Sequence, residues 1–126
     1  NVENLCVKSK IGEHDIQSLS DDELSVSKHV IEENIRVVKA AQFLKSNEAE
    51  EFGKLMTESH MSLSKYYKVS TLELDKLVDL ANSFGALGSK LTGAGFGGAI
   101  VTLVKKELVE ELKKYILNNY PNAKFL

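Results

Sequence analysis

The residues with the clearest chemical potential form one glycine-rich segment in the last third of the chain. We call it the glycine loop, and its members are Thr92, Gly93, Ala94, Gly95, Phe96, Gly97 and Gly98. Because glycine has no Cβ, such a backbone can turn sharply and come close to a ligand. Successive exposed backbone N–H groups of this kind surround phosphate oxygens, and a threonine hydroxyl adds a further donor. The segment is therefore a candidate phosphate- and substrate-binding loop.

The common nucleotide-binding glycine loops do not fit this segment. Its glycines match the spacing G-x-G-x-x-G, but a dinucleotide-binding loop opens a helix, whereas a β-branched run follows here. No Lys-Ser or Lys-Thr pair follows Gly98, which excludes a Walker-type loop. The chain also lacks the His-Arg-Asp and Asp-Phe-Gly motifs of protein kinases. A purely structural hairpin or bulge that turns the sheet remains an alternative.

Three helices are predicted before the loop. A capping box at Ser20–Glu23 starts a helix whose main part is expected over residues 28–45. Apolar residues at helical spacing predict a second helix over residues 48–65. Another capping box at Ser70–Glu73 starts a third helix, which Gly85 ends.

Strands are predicted on both sides of the loop. Residues 89–91 are expected to form a short strand, and the β-branched run 99–104 a second one. Helical spacing returns over residues 108–116, and residues 123–126 are expected to form a last strand. The predicted fold class is α+β, with helices packed on a small antiparallel sheet.

The composition is typical of one globular domain. The 126 residues suit a single domain over 1–126, with residues 1–19 as an irregular lead-in. A net charge of −2 and a single arginine argue against a nucleic-acid partner. Cys6 has no second cysteine to pair with, which favours a reducing, cytoplasmic location. No apolar run is long enough to span a bilayer, so no membrane partner is expected.

The other polar residues with chemical potential have simpler interpretations. Arg36 lies beside Glu32 and Glu33 in a predicted helix, so we expect an ion pair there rather than a phosphate clamp. His60 is expected to be a packed or capped histidine rather than a proton-transfer group. The three histidines lack the spacing of metal ligands, and no metal site held by the protein is predicted.

Several segments resemble the small-molecule kinases that phosphorylate galactose, homoserine, mevalonate and phosphomevalonate. Residues 88–98 resemble the C-terminal glycine motif of that family, and Phe96 favours galactokinases over mevalonate kinases. Residues 29–37 resemble the galactokinase pattern HVV-x-EN-x-RV, and residues 59–75 resemble SH-x-SL … Y-x-VS … ELD. In order and spacing, the resemblance covers residues 28–104.

This resemblance implies a ferredoxin-like C-terminal kinase domain. It further implies transfer of the ATP γ-phosphoryl group, with Mg²⁺, to the C1 hydroxyl of galactose, and a glycine loop that lines the cleft. The family's ATP loop and catalytic residues lie in an N-terminal domain with no counterpart here. We therefore expect no catalytic residue in this sequence and no activity from it alone. A mevalonate or phosphomevalonate kinase domain, or a non-catalytic sugar-sensing module, remains an alternative.

We predict that Gly95→Val in the whole enzyme greatly reduces turnover and leaves folding largely intact, because the new side chain would occupy the space beside the bound phosphate. Steady-state kinetics together with circular dichroism would check this expectation. Unchanged turnover would exclude a role of the glycine loop in binding.

Overall fold

A computed structural model describes residues 20–93 and 98–126. Its longest element is helix α1 (Asp21–Lys45). The Ser20 hydroxyl accepts a hydrogen bond from the backbone N–H of Glu23 at 3.3 Å, as the capping box predicts. The predicted start of the main helix at residue 28 is wrong, because α1 runs unbroken from Asp21. The acidic first turn interacts favourably with the helix dipole. Each serine inside a well-capped helix lowers helix stability by only about a few tenths of a kcal/mol, so the serines do not interrupt α1.

Helix α2 (Ala49–Ser62) passes directly into a π-helical turn, Leu63–Tyr67. The turn ends at Lys68, whose φ of 57° reverses the chain. The helix predicted over residues 48–65 is therefore confirmed in position, with a wider last turn than a regular α-helix has.

Helix α3 (Leu72–Phe84) ends at Gly85 with a φ of 119°, as predicted. Its N-terminal cap differs from the prediction by one residue. Thr71 Oγ1 accepts from the backbone N–H of Leu74 at 3.2 Å, whereas the Ser70 hydroxyl donates to Asp75 at 2.7 Å. Either hydroxyl is suited to cap the helix. Thr71 does so because the Ser70 hydroxyl is bound to Asp75.

The sheet confirms the predicted small antiparallel architecture. Strand β1 (Gly88–Thr92) pairs with β2 (Ala99–Leu103), so that Gly88 lies opposite Leu103 and Thr92 opposite Ala99. The glycine loop joins the two strands as a hairpin connection. The lead-in predicted over residues 1–19 lies outside the described residues.

A short 3₁₀ turn, Lys106–Leu108, leads into helix α4 (Val109–Asn119). The strand predicted over residues 123–126 is wrong, since these residues are irregular. The backbone N–H of Ala123 donates to the Tyr120 carbonyl at 3.1 Å, which ties the segment to the end of α4 rather than to a strand edge.

The apolar core lies between α3 and α4. Ala81, Leu112 and Ile116 are buried at its centre, and Phe84 packs against them. Within the described parts of the chain, none of the helices has the length and apolar character needed to cross a membrane.

Helix α2 packs on β1 through two buried glycines. A Cβ placed on Gly53 would overlap the carbonyl group of Leu87, and a Cβ placed on Gly88 would overlap the carbonyl of Gly53. Both obstacles are backbone atoms, which cannot rotate away. The two backbones therefore meet at a distance that only glycine permits at either position.

We predict that Gly53→Ala or Gly88→Ala lowers the free energy of unfolding by about 2–3 kcal/mol, because the helix and strand must move apart. Gly85→Ala is the matched control, since nothing lies within 4 Å of its new Cβ and only its positive φ is strained. Its cost should be about 1 kcal/mol. Chemical denaturation of the three variants measures the difference, and equal losses would contradict a tight contact between α2 and β1.

Candidate functional site

The two ends of the glycine loop lie side by side at the end of the hairpin. Thr92, Gly93 and Gly98 are all exposed. Gly93 has a φ of 77°, and among the described residues nothing lies within 4 Å of a Cβ built on it. The predicted site residues Ala94, Gly95, Phe96 and Gly97 lie outside the described residues. The described stem of the loop is thus open to solvent and accessible to a ligand.

Side chains of α2 hold the strand that leads into the loop. The backbone N–H of Leu91 donates to His60 Nδ1 at 3.1 Å, and that of Ser89 donates to Thr57 Oγ1 at 3.4 Å. In an antiparallel pair, alternate residues direct their N–H groups away from the partner strand. These two donors therefore find acceptors on a helix instead of on another strand, which covers the outer edge of β1.

His60 links β1 to α3 through both of its ring nitrogens. It is buried, and because Nδ1 accepts from Leu91, Nε2 carries the proton that is donated to Asp75 at 2.8 Å. Asp75 also accepts from Ser70 at 2.7 Å and from Ser64 at 3.0 Å. Burial raises the pKa of Asp75, but these hydrogen bonds outweigh it and leave the pKa below its ordinary value of 3.8. The prediction of a packed His60 is confirmed.

A second polar network joins α1, α2 and β1. Ser59 Oγ lies 2.8 and 2.9 Å from the two carboxylate oxygens of Glu33. Lys90 Nζ donates to Ser59 Oγ at 2.7 Å and lies 3.9 Å from Glu33 Oε1. Lys90 stands on β1 two residues before Thr92, so this network also holds the strand close to the loop.

Arg36 extends this network on α1. Its Nε donates to Glu33 at 3.1 Å, and Nη1 lies 3.7 Å from Glu32. The predicted ion pair is confirmed, and it engages the guanidinium within its own helix. Across residues 20–93 and 98–126, no group of three His, Cys, Asp or Glu side chains is arranged to hold a metal ion.

A further buried histidine lies away from the loop. His29 Nδ1 is 2.8 Å from Ser62 Oγ, and its ring centre is 5.3 Å from that of Tyr67. These contacts fasten α1 to the end of α2. They involve no atom of β1, which distinguishes His29 from His60.

Sequence reasoning did not foresee the contacts that converge on β1. Glu33 and Ser59 are 26 residues apart, and His60 and Leu91 are 31 apart. Helical periodicity relates residues three or four positions apart, so it carries no signal for such pairs. One local hint was available, because Gly53, Thr57 and His60 follow the i, i+4, i+7 spacing of one helix face.

Residues 40–122 match the protein family described as GHMP kinases C terminal. This match takes in α2, α3, both strands and the glycine loop. The chain belongs to the GHMP kinase family. The resemblance inferred from the glycine motif and from the two helical segments is thereby confirmed.

Comparison with individual GHMP kinases gives the same result. The chain is 41% identical over 125 residues to a galactokinase of Clostridium acetobutylicum, covering 94% of this chain and 32% of that protein. The structure of Lactococcus lactis galactokinase complexed with galactose superposes with a TM-score of 0.74 at 29% identity, covering 94% of this chain and 35% of the other. The L. major mevalonate kinase shares the fold, with a TM-score of 0.74 at 23% identity over 99% of this chain and 36% of the other. The chain thus spans about a third of the length of these relatives.

We predict that the stability of the protein falls as the pH drops below 6.5, in part through His29. Burial lowers the pKa of His29 from 6.5, and although Glu33 opposes this shift, Arg36 and Lys90 add to it. Unfolded His29 therefore binds a proton at a higher pH than folded His29 does, so the stabilisation is complete above pH 6.5 and is lost as the pH falls. His29→Gln should flatten this dependence in denaturant titrations between pH 7 and 5. An unchanged slope would contradict a neutral, buried His29.

Proposed function

We propose that this chain is the C-terminal domain of a sugar kinase that transfers the γ-phosphoryl group of ATP to the C1 hydroxyl of galactose. The observation that carries the proposal is the 41% identity to a galactokinase over 94% of this chain. The similarity to a galactokinase structure complexed with galactose supports the same substrate. Galactose and ATP are thus the proposed small-molecule partners.

The chain's own contribution is a wall of the active-site cleft. The glycine loop lines that cleft, its backbone N–H groups and the Thr92 hydroxyl facing the phosphates and the sugar. The exposure of Thr92, Gly93 and Gly98 supports this role, as does the open space around Gly93. Phosphoryl transfer depends mostly on positioning and on stabilising charge, and a loop of N–H donors contributes to both.

The remaining parts of the reaction belong to the rest of the protein. An N-terminal kinase domain is the proposed main partner of this domain, and it carries the catalytic residues and most of the ATP site. Mg²⁺ accompanies the nucleotide and neutralises the phosphate charge. Alone, the domain has no turnover, because a single wall of a cleft does not orient two substrates.

The experiment that tests this function is an assay of ATP-dependent phosphorylation by the longest natural protein that contains the chain. Galactose is the test substrate and mevalonate the comparison. Galactose turnover that mevalonate does not match supports the proposal. Turnover of mevalonate alone would assign a mevalonate kinase, and binding of galactose without turnover of either substrate would assign a sugar-sensing module.

We predict that Gly93→Ala lowers galactose turnover about tenfold or more, because a strained backbone at the loop entrance misplaces the N–H donors. Gly85→Ala is the matched control, since it also introduces a side chain at a positive φ with nothing within 4 Å. Gly85 ends α3 and does not belong to the loop. Its replacement should cost about 1 kcal/mol of stability with turnover preserved. Equal loss of turnover in both variants would argue against the loop.

A further inference from the structure

We propose that His60 is a positioning residue that fixes the entrance of the glycine loop through the backbone N–H of Leu91. This inference rests on the proposed function and deepens it. His60 belongs to α2, and in the described part of the chain its ring bonds Leu91 and Asp75. It acts through the strand that leads into the loop.

The geometry at the end of β1 supports this role. Leu91 is 4% exposed and lies two residues before Gly93. On one edge of the strand, Thr92 is paired with Ala99 of β2. On the other edge, the N–H of Leu91 is held at 3.1 Å by His60 Nδ1. The last two residues of β1, Leu91 and Thr92, are therefore fixed from opposite sides where the strand passes into the loop.

The imidazole ring is itself held in one orientation. Its Nε2 donates to Asp75 at 2.8 Å, and the carboxylate of Asp75 is anchored by hydrogen bonds from Ser70 and Ser64. A ring rotated by half a turn about its Cβ–Cγ bond would present the carbons Cδ2 and Cε1 to Leu91 and Asp75 in place of Nδ1 and Nε2. The result is a continuous chain of hydrogen bonds from α3 through α2 to β1, and an imidazole supplies the donor and the acceptor on opposite sides of one rigid group.

This arrangement predicts which kinetic quantity changes when the bond to Leu91 is lost. The loop would still contain its N–H donors. The residues at its stem would shift by roughly a fraction of an ångström or more. Such misplacement reduces the stabilisation of the transition state more than it weakens the binding of the sugar. We therefore expect kcat to fall, with the KM for galactose almost unchanged.

Two substitutions at the same position separate the two bonds of His60. The side-chain oxygen of asparagine reaches roughly the place of Nδ1, so His60→Asn keeps an acceptor for Leu91 and loses Asp75. The amide nitrogen of glutamine reaches roughly the place of Nε2, so His60→Gln keeps the bond to Asp75 and loses Leu91. In the full-length protein, we expect His60→Gln to lower kcat about tenfold, the change associated with one hydrogen bond. His60→Asn should rescue kcat to within about threefold of the wild type.

The matched control is His29→Gln. His29 is also buried and also bonds a serine hydroxyl on α2 through Nδ1, but this bond does not involve β1. It should lower stability and leave kcat unchanged. A comparable loss of kcat in His29→Gln would assign the effect to general destabilisation and overturn the proposal. Full activity in His60→Gln with loss in His60→Asn would assign the role to the Asp75 contact and also overturn it.

A second measurement separates this inference from the proposed function. Amide hydrogen exchange followed by NMR reports directly on the N–H of Leu91 and does not depend on turnover. Its protection should be lost in His60→Gln and kept in His60→Asn. If the wild-type protein fails to phosphorylate galactose while this pattern holds, the proposed function is wrong and the positioning of the loop stands. Unchanged protection in His60→Gln overturns the inference, whatever the activity.

Discussion

The contact between the backbones of α2 and β1 is the constraint on which the rest of the candidate site depends. Gly53 and Gly88 leave no room for a Cβ, so helix and strand meet at their closest possible distance. On the same face of α2, Thr57 and His60 then reach the N–H donors of β1. A wider separation would remove both acceptors at once and leave the strand edge with unpaired donors. The close packing of α2 on β1 and the hydrogen bonding of the strand's N–H groups therefore both depend on Gly53 and Gly88, which have no side chain.

The polar and the apolar contacts stabilise different parts of the domain. The apolar core between α3 and α4, centred on Ala81 and Ile116, stabilises the fold away from the loop. Near the loop, buried polar groups hold β1 through the networks around Ser59 and His60. Such networks specify one geometry, because a partly satisfied arrangement of buried polar groups is costly in a medium of low polarity. The strand that leads into the glycine loop is thereby held in one position.

The predictions from sequence succeeded where short-range chemistry decides the outcome. The cap at Ser20 and the left-handed glycine at Gly85 lie where their local patterns place them. They failed where a distant contact selects between equivalent local choices. Ser70 and Thr71 are both good caps, and Ser70 loses that role because Asp75 takes its hydroxyl. The segment 123–126 has strand-like residues, yet a strand needs a free edge to pair with, and a turn fastens the segment to the end of α4.

The sequence by itself determined the helices, the antiparallel hairpin, the glycine loop and the membership of the GHMP kinase family, because capping, periodicity and glycine patterns are properties of neighbouring residues. Only the tertiary structure decided which polar side chains meet. It joins His60 to Leu91 across 31 positions of the chain and Lys90 to Ser59 across the same separation. The physical reason is that these bonds depend on how closely α2 approaches β1, and that distance is set by the packing of two glycine backbones rather than by any local preference.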